Sequence, residues 1–151
     1  MMKKLIISLT LFFPLFGFSQ LEHVAEALKF HNQIRNYHFI HDLMYDDNLK
    51  KEAQQLADKL AELDTIQFSS DSLGENIYSV KKITETTLKS FNPFLDASIH
   101  WALDEDTSLD QLKHEDAILV GFGLSENKER IYVVAKYDNV IRKEDNKEDK
   151  N

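Results

Sequence analysis

His100 and Asp104 are the residues best placed for metal chemistry, because they stand four positions apart in a segment predicted to be helical. Residues at that spacing share one face of a helix, and imidazole and carboxylate groups are both zinc ligands. A histidine on a partly apolar helix is, however, commonly a hydrogen-bonded packing residue. His114, beside Glu115 and Asp116, fits a solvated turn better than a ligand position.

The chain offers little for nucleophilic catalysis. It has no cysteine and no Gly-x-Ser-x-Gly elbow, and the serines near position 70 have no histidine close to them in sequence. His38 and His41 fall where a helix is predicted to end, so we interpret them as surface residues.

Hydrophobic periodicity predicts the helices that must position these groups. Apolar residues at three- and four-residue steps predict a helix over residues 21–37, with His31 on its inner face. Asp46, Asp47 and Asn48 offer an N-cap and first-turn acids to a second helix. Asparagine followed by proline suits the start of a third. The predicted helices cover residues 21–37, 49–63, 84–91 (weakly) and 93 to about 106.

The remaining segments predict strands and turns. Residues 66–68 predict a short strand, residues 69–72 a loop, and Gly74 a turn residue. Apolar, β-branched runs over residues 117–124 and 130–137, joined by five polar residues, predict an antiparallel hairpin. Together the elements predict an α+β domain whose helices cover a small antiparallel sheet.

Residues 1–19 are typical of a secretory signal peptide. Two lysines precede an apolar run over residues 5–16, and small residues at Gly17 and Ser19 suit cleavage before Gln20. The apolar run is shorter than the roughly 20 residues that span a membrane, so we predict no transmembrane anchor. Secretion into a periplasm or out of the cell is not distinguished.

We assign residues 20–141 to one folded domain and residues 142–151 to a charged, disordered tail. The formal charge is −8, and loss of the two signal-peptide lysines moves it to −10. Such a surface argues against nucleic acid and anionic lipid as partners. Without cysteine the domain must be stabilised by its core alone. The oligomeric state is not predicted.

Short blocks in a fixed order run from about residue 25 to residue 137. They are His31-Asn32-x-x-Arg35, Glu52-Ala53-Gln54-Gln55-x-Ala57, Gly74-Glu75-Asn76-Ile77-Tyr78, Trp101-x-x-Asp104, Val120-Gly121-Phe122-Gly123 and Tyr132-Val133-Val134-Ala135-Lys136-Tyr137. Their order and spacing resemble the CAP superfamily of cysteine-rich secretory proteins, antigen 5 and pathogenesis-related 1 proteins, most closely its cysteine-poor branch. The resemblance implies a three-layer α-β-α sandwich.

The resemblance also implies a cleft with two histidines and two acids, which binds zinc in some members of the family. Carried over residue by residue, the acids are Glu75 and Asp104, and the positions usually held by histidine are the loop containing Ser69 and, counted back from Gly121, Ser108. These four residues form the predicted cleft.

Two carboxylates without imidazole make a poor zinc site, so we expect no metal cofactor. The expected function is a secreted, non-catalytic binding module for a lipid, a small apolar ligand or a protein. The alternative is a metal-dependent hydrolase or peptidase in which Glu75 and Asp104 act with a relocated histidine, His100 or His114. A carboxylate pair could also act on a glycoside, but no sugar-stacking row of aromatic residues accompanies it.

The other blocks are interpreted as structural. His31, Asn32 and Arg35 are expected to be buried polar groups with hydrogen-bond partners. Asn76 is expected to bond backbone groups, and Trp101 to lie in the core. Glu75 itself is open to two interpretations, a cleft acid or a structural acceptor.

Overall fold

The computed structural model describes residues 16–82 and 91–140, with side chains from Gln20 onward. In this part of the chain the elements are α1 (Phe16–Tyr37), β1 (Met44–Tyr45), α2 (Asp47–Leu63), β2 (Leu73–Lys81), α3 (Pro93–Leu103), α4 (Ser108–Leu112), β3 (Leu119–Glu126) and β4 (Arg130–Val140). The strands form a sheet in the order β1-β3-β4-β2. The predicted signal-peptide core, most of the weak helix over 84–91 and the tail lie outside the described residues.

Helices cover both faces of this sheet. On one face α2 packs its buried apolar stripe against Tyr132 and Val134 of β4. On the other face, α1 and α3 enclose a larger core around Trp101, Phe122 and Tyr137. The prediction of an α+β domain with a three-layer α-β-α arrangement is confirmed.

The sheet is mixed rather than wholly antiparallel. β4 pairs antiparallel with both β2 and β3, as the predicted hairpin requires. The two-residue β1 pairs with β3 in parallel, Met44 opposite Leu119, and was missed because two residues carry no periodic pattern. The predicted small antiparallel sheet is present in β2, β3 and β4, and β1 adds a short parallel strand that was not predicted.

The helix starts predicted for α2 and α3 are confirmed by their caps. The Asp46 carboxylate accepts hydrogen bonds from the backbone of Asn48 and Leu49 at 2.9 and 2.8 Å. The Asn92 side chain accepts from Phe94 and Leu95, each at 3.1 Å, with Pro93 as the first helical residue. Each cap satisfies backbone donors that have no partner within the first turn.

Other boundaries differ from prediction. α1 begins at Phe16, before the predicted residue 21, and α3 ends at Leu103 rather than near 106. In the hairpin, β3 starts and ends two residues later than predicted, and β4 extends three residues further, to Val140. The connection has three residues rather than five, and in it Asn127 Oδ1 accepts from the amides of Glu129 and Arg130. Residues 66–68 form no strand, since Ile66 and Phe68 are exposed and the segment pairs with no strand of the described sheet.

Candidate functional site

Gly74 lies inside β2 and not in the turn predicted for it. The register with β4 shifts between Leu73 and Glu75, so the strand is irregular at this glycine. The hydrogen-bonded side chains of Gln111 and Asn139 lie directly over Gly74, where a Cβ atom would collide with them. The glycine therefore lets these side chains approach the strand and fixes the position of the next residue, Glu75.

Glu75 is 7 % exposed, and both of its carboxylate oxygens are engaged. The backbone amide of Ser69 donates to Oε1 at 2.5 Å and the Ser69 hydroxyl donates to Oε2 at 2.6 Å. The ammonium of Lys136 lies 3.0 Å from Oε2. A buried carboxylate that accepts two hydrogen bonds and pairs with a cation is held in one orientation.

Lys136 is delivered by the pairing of β2 with β4, in which it stands directly opposite Glu75. It is 1 % exposed, and its ammonium donates to the Ser69 hydroxyl at 3.0 Å and to the carboxylate of Asp71. Burial lowers the pKa of Lys136, but the hydrogen bonds to Asp71 and Glu75 raise it, so that the pKa lies above its ordinary value. Lys136 is therefore a charged, fully partnered ammonium. We call Ser69, Asp71, Glu75 and Lys136 the Lys136 cluster.

A groove of about 510 Å³ opens beside the Lys136 cluster, between α2 and residues 67–71. Ser69, Asp71 and Lys136 form part of its wall, whereas Glu75 lies behind them and does not line it. The remaining lining residues are Glu52, Gln55, Leu56, Lys59, Gln67, Phe68 and Ser70. We call the groove lined by all ten residues the α2 groove. Its chemistry is mostly polar, with one exposed aromatic ring at Phe68.

Asp104 belongs to a second cluster. It is the C-cap of α3, and its Oδ2 accepts from the Ser108 hydroxyl at 2.7 Å and more weakly from the Ser108 amide at 3.4 Å. The hydroxyl hydrogen bond is the main reason why the pKa of Asp104 is lowered. The hydrogen bond between Ser108 and Asp104 redirects the chain after Leu103, so that α3 ends earlier than predicted and α4 begins at Ser108.

Asn76 and Tyr137 link Ser108 to α1. The Asn76 amide donates to the Ser108 carbonyl at 3.0 Å and to the Tyr137 hydroxyl at 3.4 Å. The Tyr137 hydroxyl lies 3.0 Å from His31 Nε2, and His31 Nδ1 donates to the Ala27 carbonyl at 3.0 Å. Burial lowers the pKa of His31 to about 4, so the ring is neutral and accepts from Tyr137, whose own pKa is raised by burial.

Arg35 and Asn32 hold the loops beyond α1. The fully buried Arg35 donates to the carbonyls of His41, Leu112, His114 and Ala117 at 2.8 to 3.0 Å. The Asn32 side chain exchanges two hydrogen bonds with the backbone of Leu43, at 2.8 and 3.1 Å. These contacts give both polar residues of the first block a place in the scaffold.

The candidate ligands outside the blocks lie elsewhere. The ring of His100 packs on Tyr78 at 4.8 Å between centroids, and His114 accepts from the Asp116 amide through Nδ1 at 3.3 Å. Trp101 is fully buried and donates through Nε1 to the Ile77 carbonyl at 3.2 Å. His38 and His41 are exposed, and His41 Nε2 donates to the Ala117 carbonyl at 2.9 Å.

The structure thus brings the four predicted cleft residues together in pairs, Ser69 with Glu75 and Ser108 with Asp104. Among residues 16–82 and 91–140, the carboxylates of Glu75 and Asp104 share no hydrogen-bond donor. In the same ranges no three His, Asp or Glu side chains converge as metal ligands would. Neither His100 nor His114 contributes to either pair.

Sequence reasoning missed Lys136 and Asp71. A lysine inside the apolar run 131–137, at an alternating position shared with Tyr132 and Val134, is one detectable anomaly, because a buried lysine needs a carboxylate partner. Its partner depends on the register between β2 and β4, which local sequence does not encode.

Comparison with known proteins places the chain in a family. The sequence profile described as CAP, cysteine-rich secretory protein family, matches residues 28–137. A search of curated proteins returned no match. Within the described residues no helix has the length and apolarity of a membrane span.

Solved structures share the fold at low identity. MpPR-1i is 20% identical with a TM-score of 0.58, covering 86% of this chain and 93% of its own. NaASP2, solved with Zn²⁺, is 16% identical with a TM-score of 0.60 over 78% of this chain and 79% of its own. An outer surface protein from Borrelia burgdorferi is 18% identical with a TM-score of 0.56, over 77% of this chain and 92% of its own. With its blocks, its three-layer fold and its match to the family profile, the chain belongs to the CAP superfamily.

Proposed function

We propose that this protein is a secreted, non-catalytic binding protein that works without a metal and takes a peptide or protein segment in the α2 groove. One observation carries the proposal. The acid that the family resemblance places in the cleft, Glu75, is neutralised by the chain's own Lys136 and hydrogen-bonded by Ser69.

The donor set does not fit zinc. Serines stand at the two positions where histidines are implied, and zinc sites are built from imidazole, thiolate and a minority of carboxylates. A cation bound at Glu75 would have to displace the Lys136 ammonium from a site where three acceptors already surround it. No catalytic step is therefore assigned to a metal.

A peptide suits the α2 groove better than a lipid does. The lining offers carboxylate, ammonium and amide groups that can pair with peptide backbone, and its apolar side chains are Leu56 and Phe68. A sterol or acyl chain would leave these polar groups without partners, which costs free energy on binding.

Secretion rests on the N-terminal sequence, in which lysines, an apolar run and small residues follow one another. N-terminal sequencing of the protein recovered from its producing cell should begin at Gln20. Recovery with Met1 intact in the cytoplasm would contradict this part of the proposal.

The non-catalytic part is tested by incubating the chain and casein with added zinc. We expect the wild type and the double variant Glu75→Gln/Asp104→Asn to show the same background rate of cleavage. A wild-type rate well above that of the double variant would establish the hydrolase alternative instead.

The groove is tested by selecting decapeptides from a displayed library on the wild type. We expect the selected peptides to lose binding to Phe68→Ser and to keep it for Ile66→Ser, a matched exposed apolar residue outside the groove. Equal binding to both variants would remove the α2 groove as the site.

A small apolar ligand is a second candidate, supported by one cavity. A pocket of about 290 Å³ is lined by Leu21, Val24, Tyr45, Phe94 and Phe122 together with three polar residues, Gln20, Lys50 and Gln54. Nile red fluorescence enhancement that is lost in Leu21→Gln would favour this candidate.

A further inference from the structure

The C-terminal end of α1 carries an aromatic residue where helices usually place glycine. The amide of Phe39 donates to the Asn36 carbonyl at 3.0 Å, and the amide of Ile40 donates to the Arg35 carbonyl at 2.9 Å. These two bonds define a Schellman cap, with Phe39 at its left-handed position. Its φ is +60°, a conformation that is strained for a bulky side chain and free for glycine.

Packing does not compensate for this strain, because the Phe39 side chain is 99% exposed. Tyr37, two residues earlier, is 80% exposed, and its ring meets that of His38 edge to face with centroids 5.2 Å apart. We call Tyr37, His38 and Phe39 the aromatic tip. A strained backbone that holds a large ring in water is a feature that folding alone does not account for.

The aromatic tip is held rigidly from below. Buried Arg35 donates to the His41 carbonyl at 2.8 Å and to Ala117 at 2.8 Å, and His41 Nε2 donates to the same Ala117 carbonyl at 2.9 Å. The loop after α1 is thereby fixed to the turn before β3. A ring presented in one position loses less entropy when it binds.

The charges around the aromatic tip indicate what it contacts. Asp42 on the same loop, and Glu115 and Asp116 on the turn that Arg35 and His41 fix to it, are exposed carboxylates. Aromatic faces beside carboxylates attract quaternary ammonium groups, through cation–π contact and charge. Anionic surfaces are disfavoured by these acids and by the formal charge of −8.

We propose that the aromatic tip docks on a zwitterionic lipid surface that displays choline headgroups, with Phe39 inserted below the headgroups and Tyr37 among them. This site is separate from the α2 groove, so it stands or falls independently of the proposed function. The rings of Phe39 and Tyr37 supply the apolar contact, and the carboxylates of Asp42, Glu115 and Asp116 face the choline cations of the headgroups.

The test is co-sedimentation of the full chain with phosphatidylcholine vesicles. Phe39→Gly removes the ring and relieves the left-handed strain, so we expect partitioning to fall roughly tenfold or more while the melting temperature stays equal or rises. Ile66→Gly, which removes an exposed apolar side chain outside both the aromatic tip and the α2 groove, is the control and should partition like the wild type.

The proposal would be overturned by no partitioning of the wild type, by stronger partitioning onto phosphatidylglycerol vesicles, or by equal partitioning of Phe39→Gly and the wild type. Soluble phosphocholine at millimolar concentration should leave partitioning unchanged, since insertion needs the bilayer, and complete competition would argue for headgroup capture instead. A dimer seen by sedimentation velocity and abolished by Phe39→Gly would reassign the aromatic tip to self-association and overturn lipid docking.

Discussion

The ammonium of Lys136 is the cation that pairs with the buried carboxylate of Glu75. It is surrounded by the Ser69 hydroxyl and the carboxylates of Asp71 and Glu75, and it is 1 % exposed. Burial raises the pKa of Asp71, yet the hydrogen bond from Lys136 and those from Leu73 and Ser69 together hold it below its ordinary value. Asp71 is therefore ionised, and both acids are paired with Lys136 within the protein.

Removing Lys136 should be costly. Lys136→Met leaves the buried Glu75 carboxylate without its cation and close to Asp71, so we expect a loss of roughly 3–5 kcal/mol in the free energy of unfolding by urea. Lys59→Met, which removes an exposed lysine of the same groove, is the control and should change stability by less than about 0.5 kcal/mol.

The pair can also be removed together. Lys136→Met/Glu75→Gln should recover part of the loss, because no unpaired buried charge remains at position 75. A loss below about 1 kcal/mol in the single variant would show that the ammonium is not needed to hold Glu75.

His31 should impose a pH dependence on stability. Burial lowers its folded-state pKa to about 4 from 6.5. Between these pH values the unfolded chain binds a proton at His31 that the folded chain does not bind. The contribution of His31 to the free energy of unfolding is therefore fully present above pH 6.5, and it falls by about 3 kcal/mol as the pH decreases to 4. The lowered pKa values of Asp64, Asp71 and Asp104 add a separate loss at lower pH.

Urea unfolding at pH 7.5 and 4.5 measures this dependence. His31→Gln is expected to be less stable than the wild type at pH 7.5, with a smaller difference between the two pH values. An unchanged pH dependence in His31→Gln would contradict a neutral, buried His31.

At the scale of elements, the two glycines of β3 determine how closely α2 can lie on the sheet. A Cβ at Gly121 would collide with the backbone of Leu49 and Lys50, and one at Gly123 with the backbone of Ala53 and Gln54. Neither glycine has a positive φ, so space and not conformation is the reason for glycine at both positions. Because an added Cβ would meet backbone atoms of α2, no neighbouring side chain could change its rotamer to make room.

Gly123→Ala should therefore move α2 and lower stability by about 1–3 kcal/mol or more, measured by urea unfolding. Ser125→Ala is a suitable control, since it lies two residues further on the same strand and the same face. Equal stability of Gly123→Ala and the wild type would contradict the close packing of α2 on β3.

The elements that sequence predicted well are those whose determinants are local. Asp46 and Asn92 cap helices through neighbouring amides, and the hairpin follows from two β-branched runs with a polar connection. β1 and α4 were not predicted. β1 has only two residues, and α4 depends on the hydrogen bond from the Ser108 hydroxyl to Asp104. The segment 66–68 is β-like in composition but has no strand beside it in the described sheet.

At the scale of the whole molecule, the order of the sequence blocks was sufficient to identify the family but not to predict the contacts within the site. Glu75 and Asp104 were identified inside the blocks, and Ser69 and Ser108 by their distance from a block, and the structure places the four in two pairs. The cation that accompanies Glu75 could not be predicted, since Lys136 is 61 residues away and reaches it only through the register of β2 on β4. What a cleft binds depends on such long-range pairing.

Zinc titration by isothermal calorimetry tests the central claim, that Lys136 and not a metal balances Glu75. The wild-type chain should show no zinc binding with a Kd of tens of micromolar or tighter, which corresponds to about 6 kcal/mol of binding free energy. The double variant Glu75→Gln/Asp104→Asn should behave the same. One zinc bound tightly by the wild type and lost in the double variant would contradict the account, because Glu75 would then be a metal ligand despite its pairing with Lys136.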